Sequence, residues 1–184
     1  MTGHELRTDC CAKILGGHLN MTISELLLPE FEEETKKTRK ALEVVPFDDP
    51  DWKPHEKSMQ IGRLAGHIAE LPSWASDTIN LASFNIEPGT KGFFPRSRNE
   101  LLERFESKAA AARSAVAGAS DDHLQKVWTL SFDGKPILSM SRHLILRNLV
   151  LNHLIHHRGQ LSVYLRLRNI PVPGMYGPSA DENF

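Results

Sequence analysis

The chain has 184 residues, 40% hydrophobic and 24% charged, a length and balance that suit one globular domain and exclude a disordered, collagen-like or fibrous chain for its bulk. Twenty-two Lys and Arg against 23 Asp and Glu leave a net charge of −1, without the basic excess of a nucleic-acid binder. The adjacent Cys10 and Cys11 cannot staple a fold and point to a reducing, cytoplasmic setting, while no apolar run approaches the roughly 18 residues of a membrane span and no signal-peptide pattern opens the chain.

Residues 1–21 lack sustained periodicity and read as a poorly ordered extension, with Met21 as a candidate start and one domain over residues 22–184. From Ser24, the apolar positions Leu27, Leu28, Phe31, Leu42 and Val45 predict an amphipathic helix in which Pro29 must sit in the first turn or cause a kink. The proline-rich stretch 46–58 predicts a long connection, with Trp52 pinned to the core and Ser58 as the next N-cap. A second helix carries Ile61, Leu64, Ala65, Ile68, Leu71 and Trp74 at helical spacing; Pro72 should bend it, and Gly62 with Gly66 permits close approach of a neighbouring helix. After a loop from about Ile86, Ser97 and Glu100 form a capping box that opens a third helix running to about Gly118. Asp133-Gly134 inside WTLSFDGKPIL favours a minor hairpin near 128–138, with Pro136 restricting its second arm to an edge. One long helix then spans about Arg142 to Asn169 and stops before Pro171 and Pro173. The fold class is all-α, a four-helix bundle with long connections.

Nine histidines stand out. His153 and His157 are four apart on the last helix, so they lie roughly 40° from one another and about 6 Å apart along the axis, amid an apolar stripe. Two imidazoles inside a bundle need partners, and a metal ion is the cheapest one they can share. His156 points to the other side of His153 and is the weaker candidate, whereas His67, on the apolar edge of the second helix, would bring the set to three nitrogens from two helices. Three ligands with open remaining positions describe a catalytic or substrate-binding metal site, since structural zinc normally closes with four.

The segment LNHLIHHRGQLSVYLRLRNIPVPGMYGPSADE, from Leu151 to Glu182, together with DWKPHEKS and GRLAGHIAELPSW upstream, resembles the DinB family of metal-binding four-helix bundles over residues 22–182. The resemblance implies a divalent metal held by His67, His153 and His157, and it has no counterpart for the extension before Met21. It also implies chemistry with low-molecular-weight thiols such as mycothiol or bacillithiol in some relatives. The expected function is therefore a zinc- or nickel-dependent enzyme, a transferase adding a thiol to a small electrophile. The alternatives are hydrolysis by a metal-bound hydroxide and a noncatalytic, metal-stabilised stress-response or binding module.

Gln160 faces the histidine stripe and could orient a ligand or a metal-bound water; Glu70, one turn past His67, could accept that ring's second N–H, though a solvated carboxylate is the plainer reading. Arg158 points about 140° from His153, to another surface where a salt bridge is its default. Trp52, Trp74, Phe93 and Phe94 read as core or loop anchors that could line an apolar pocket; His55, His123 and His143 are background. Leu144, Leu151 and Ile155 form a second apolar face on the last helix, covered by a partner chain or by the chain's own connections, and a homodimer is expected there.

Overall fold

A computed structural model describes residues 21–182; residues 1–20, which hold nearly all of the expected extension and both cysteines, lie outside the described residues with 183–184. The chain is mainly helical. Four rods make the bundle: α1 (Ile23–Glu43), α2 (Ile61–Glu70) with α3 (Ser73–Asn80), α4 (Arg98–Ala117), and a composite last rod. That rod runs from α6 (Arg142–Ile145) through a π-helical stretch (Leu146–Asn152) into α7 (His153–Leu167). A short α5 (Asp121–Gln125) and the strands β1 (Phe84–Ile86), β2 (Val127–Phe132) and β3 (Lys135–Ser141) complete the order. No helix among the described residues is long and apolar enough to cross a membrane.

Local chemistry sets most of these boundaries. Thr22 caps α1 in a full capping box with Glu25, and Pro29 falls inside that helix, beyond the first turn where it was one of two expected outcomes. The second helix is bent at Pro72 as expected and divides there into α2 and α3, with Leu71 and Pro72 both still in right-handed helical conformation. The expected Ser58 cap is corrected: Gln60 occupies the N-cap of α2 and makes no side-chain cap bond. Ser97 caps α4 by accepting from the Glu100 N–H, while the Glu100 carboxylate takes the Arg96 N–H at 2.7 Å.

The hairpin is larger than its sequence signal. Asp133 and Gly134 take φ of 48° and 71°, a turn with both central residues left-handed, which matches the strands' twist. β2 pairs antiparallel with β3 and parallel with β1, giving the order β1-β2-β3, so Pro136 sits on the edge strand as predicted.

The core is divided into three clusters. One gathers Leu42, Leu64, Leu101, Leu154 and Leu161 between α1, α2, α4 and α7; a second joins Phe31, Val116, Leu146, Val150 and Leu151; a third seats Trp128, Leu130 and Ile145 under the sheet. Each fully buried leucine contributes about 1.5–3 kcal/mol. Trp74 packs against all three clusters, which makes it a core junction more than a pocket wall.

The π-helical stretch corrects the expected second apolar face. In that register residues five apart stack, so Leu146 and Leu151 turn to the same side and both enter the second cluster with Phe31 of α1. Leu151 is 2% exposed and covered by its own chain; of the three expected contacts only Leu144 is exposed, with Ile155 half-buried.

Candidate metal centre

The bundle brings His67, His153 and His157 together between α2 and α7. His67 lies in the last turn of α2; His153 is the first residue of α7 after the π-helical stretch, and His157 follows one turn on. The Nε2 atoms of His157 and His153 are 2.8 Å apart, and those of His67 and His153 3.4 Å apart. Metal–nitrogen bonds of about 2.0–2.1 Å place ligand nitrogens about 3.3 Å apart at a tetrahedral angle and about 2.9 Å apart at a right angle. The observed spacings fit such a sphere.

His157 Nδ1 stands 2.7 Å from Gln160 Oε1, so with the amide oxygen accepting, the ring carries its proton on Nδ1 and keeps an Nε2 lone pair toward the other two rings. His153 then meets a cost in either tautomer without an ion. Its Nδ1 is buried with no hydrogen-bond partner, so a proton on Nε2 leaves Nδ1 an orphan acceptor, and a proton on Nδ1 sets two lone pairs facing at 2.8 Å. A cation among the three nitrogens removes that repulsion.

Electrostatics keep the rings in the form a metal needs. Burial pushes His67 down to about 4, helped by His157, His153 and the Arg63 guanidinium. Burial also lowers His153, followed by His157, with the Leu149 carbonyl acting against it from outside hydrogen-bond geometry. His157 is lowered by burial, against the pull of Gln160. All three are therefore neutral near pH 7, with lone pairs available.

A loop closes over α2 beside the site. A side chain on Gly66 would overlap the Phe93 carbonyl, and one on Gly62 would lie 2.8 Å from the Phe94 ring, so these glycines admit the 93–95 segment and not the expected neighbouring helix. Glu70 serves that loop: its Oε2 accepts the Phe93 N–H at 3.1 Å and its Oε1 lies 3.7 Å from Arg104, so it is neither simply solvated, as the plainer reading had it, nor bonded to His67. Arg104 in turn sits over the Phe93 ring at 4.6 Å. Trp52 anchors against the core, edge-on to Tyr164 at 5.7 Å.

Arg158 makes its expected salt bridge but in a buried seam, where Glu34, Thr38 and Tyr176 take its guanidinium. His55 accepts the Lys57 N–H two residues on, His123 and His143 meet the backbone carbonyls of Ile79 and Leu124 from distant parts of the chain, and His156 is exposed with its ring 5.0 Å from that of His157. Sequence reasoning missed Arg63, which shares a cleft with His67; the available signal was its position four residues before that histidine.

Comparison with known proteins agrees with the fold. The model of the DinB family matches residues 18–183. An uncharacterized Bacillus subtilis protein, YrdA, is 26% identical over 156 residues, covering 84% of this chain and 89% of that protein. A crystal structure of a DinB-like protein from Bacillus cereus superposes with a TM-score of 0.66 at 26% identity, covering 85% of this chain and 99% of the other. A second, the DinB-like YjoA of Bacillus subtilis, has a TM-score of 0.61 at 18% identity over 82% of this chain and 96% of its own, a likeness of fold.

Proposed function

The chain belongs to the DinB family, and from that premise we propose that His67, His153 and His157 hold a divalent zinc or nickel ion in a metal-dependent transferase that adds a thiol to a small electrophile. The observation that carries this reading is the convergence of three neutral ring nitrogens at 2.8 and 3.4 Å, with no fourth His, Cys, Asp or Glu in the group among the described residues. Three imidazoles suit zinc, nickel or copper better than magnesium or calcium. A bound ion supplies a positive charge that lowers the pKa of a thiol or water at an open position. Gln160 holds His157 in its ligating tautomer, and burial keeps the three rings neutral. The co-substrate in this reading is a low-molecular-weight thiol, and Gln160 is a positioning residue.

The test is an assay of zinc- and nickel-loaded protein with 2-mercaptoethanol and 1-chloro-2,4-dinitrobenzene, beside hydrolysis of 4-nitrophenyl acetate without thiol. Thiol-dependent release of chloride that disappears in His153→Ala supports the transferase. Ester hydrolysis alone would replace it with the hydrolase, and inactivity on both, over a panel of such electrophiles, with metal bound, would favour a noncatalytic module.

A further inference from the structure

The seven residues that lead into α7, Leu146–Asn152, are wound as a π-helix, a register in which an N–H bonds to the carbonyl five residues back instead of four. Where that register gives way to α7, the ladder of backbone bonds has to pass over a carbonyl. The His153 N–H marks the place: it bonds to the Val150 carbonyl and not to that of Leu149, its partner in a regular helix. The Leu149 carbonyl is thus released from the His153 N–H, yet it lies against the His153 ring, outside hydrogen-bond geometry.

That ring carries the buried orphan of the candidate metal centre. His153 Nδ1 has no partner, while Nε2 faces His157 at 2.8 Å and His67 at 3.4 Å. His157 has Gln160 to take its Nδ1 proton at 2.7 Å; no side chain does this for His153. Coordination through Nε2 requires the proton on Nδ1, and a buried N–H without an acceptor is costly. Metal-bound imidazoles meet that need with a carboxylate, a backbone carbonyl or water. At His153 the carbonyl at hand is the one that the π register withholds from its regular bond.

We propose that the π-helical stretch is the positioning element of His153: it keeps the Leu149 carbonyl from the His153 N–H, so that this carbonyl accepts the Nδ1–H when Nε2 binds the ion. The inference rests on the three-histidine site proposed above and adds to it a backbone group four residues before the ligand. Asn148, whose side chain is exposed, is the residue the wide turn can spare. Without it the rod becomes continuous α-helix, and the Leu149 carbonyl falls four places before His153 and goes to its N–H.

The test is NMR of the full chain, metal-free and zinc-loaded. Leu149-Val150 is the only Leu-Val step in the sequence and Val150-Leu151 the only Val-Leu step, so carbonyl-labelled leucine with amide-labelled valine, and the reverse pair, single out the two carbonyls. On zinc loading the Leu149 carbonyl carbon should move downfield, as a carbonyl does on accepting a hydrogen bond. That of Val150, which already holds the His153 N–H, should stay. An unmoved Leu149 carbonyl in a chain that has taken up zinc, or an equal movement of both carbonyls, overturns the proposal. Deletion of Asn148 should leave the chain helical and lower zinc affinity about 10–100-fold in competition with a chromophoric chelator. A folded deletion variant with wild-type affinity overturns the proposal as well. The carbonyl comparison needs only the wild-type chain, so a deletion that fails to fold does not spare it. Failure of the metal reading looks different: zinc uptake that is absent, or unaffected by His153→Ala, removes the site itself, whereas zinc held through His153 with the Leu149 carbonyl unmoved removes only the role of the π register.

Discussion

Arg158 Nη2 meets Glu34 Oε2 at 2.5 Å in a seam between α7 and α1 where the two side chains are 2% and 5% exposed. The Tyr176 hydroxyl lies 2.7 Å from both, tying the tail to the same pair. Burial works against the Glu34 carboxylate, but Tyr176 and Arg158 together hold it below the usual range. Removing one partner of such a pair strands the other charge. Glu34→Ala should cost about 3–5 kcal/mol in urea unfolding, and Tyr176→Phe about 0.5–1.5 kcal/mol.

Metal content should follow the three rings. Elemental analysis of reconstituted protein should give about one zinc or nickel per chain, with His67→Ala, His153→Ala and His157→Ala each largely depleted. Gln160→Ala should keep the ion but weaken it about 10–100-fold in competition with a chromophoric chelator, because the tautomer of His157 is no longer held.

Acid should destabilise the metal-free chain through the same rings. His67 falls from 6.5 unfolded to about 4 folded, so below pH 6.5 the unfolded chain takes up a proton that the folded chain refuses. Stability is fully present above 6.5 and is lost as pH falls toward 4. Thermal melts over this window should show a drop in Tm that His67→Gln makes shallower; an unchanged slope would refute the assignment.

Gly66→Ala should destabilise by about 1–3 kcal/mol, because the added methyl meets the Phe93 backbone carbonyl, which cannot swing aside. Gly92→Ala should cost less, since there the obstacle is the mobile end of the Arg63 side chain. Chemical denaturation of the two variants side by side reads the difference.

We also propose that the expected homodimer, if it uses the last rod, does so through Leu144 and Ile155 without Leu151, which is enclosed by its own chain. In sedimentation at micromolar concentration, Leu144→Glu should dissociate it. A monomeric wild type, or a dimer indifferent to that charge, would refute this interface.

The rods were legible because periodicity and cap agree at Ser97 and periodicity alone marks the Leu64–Ile68 face, and the histidine pair was legible because α7 is a regular helix from His153 onward. Upstream of His153 that regularity fails. Nothing in LRNLVLN marks a π register, so a constant 100° per residue misplaced Leu151. The role of Glu70 was not legible because its partner, the Phe93 N–H, is 23 residues away in a loop whose path depends on Gly62 and Gly66. β1 was missed because three residues paired in parallel across a long crossover carry no local alternation.

The stretch from Leu146 to Asn152 also divides one rod into two mechanical units. A π register is an uncommon departure from the regular helical ladder, and local opening should begin there before it reaches α7. Backbone amides of 146–152 should therefore exchange deuterium ahead of those of 153–167. Twisting of the hairpin, which is joined to the rod through α6, would be absorbed within those seven residues and leave the spacing between His153 and His157 unchanged.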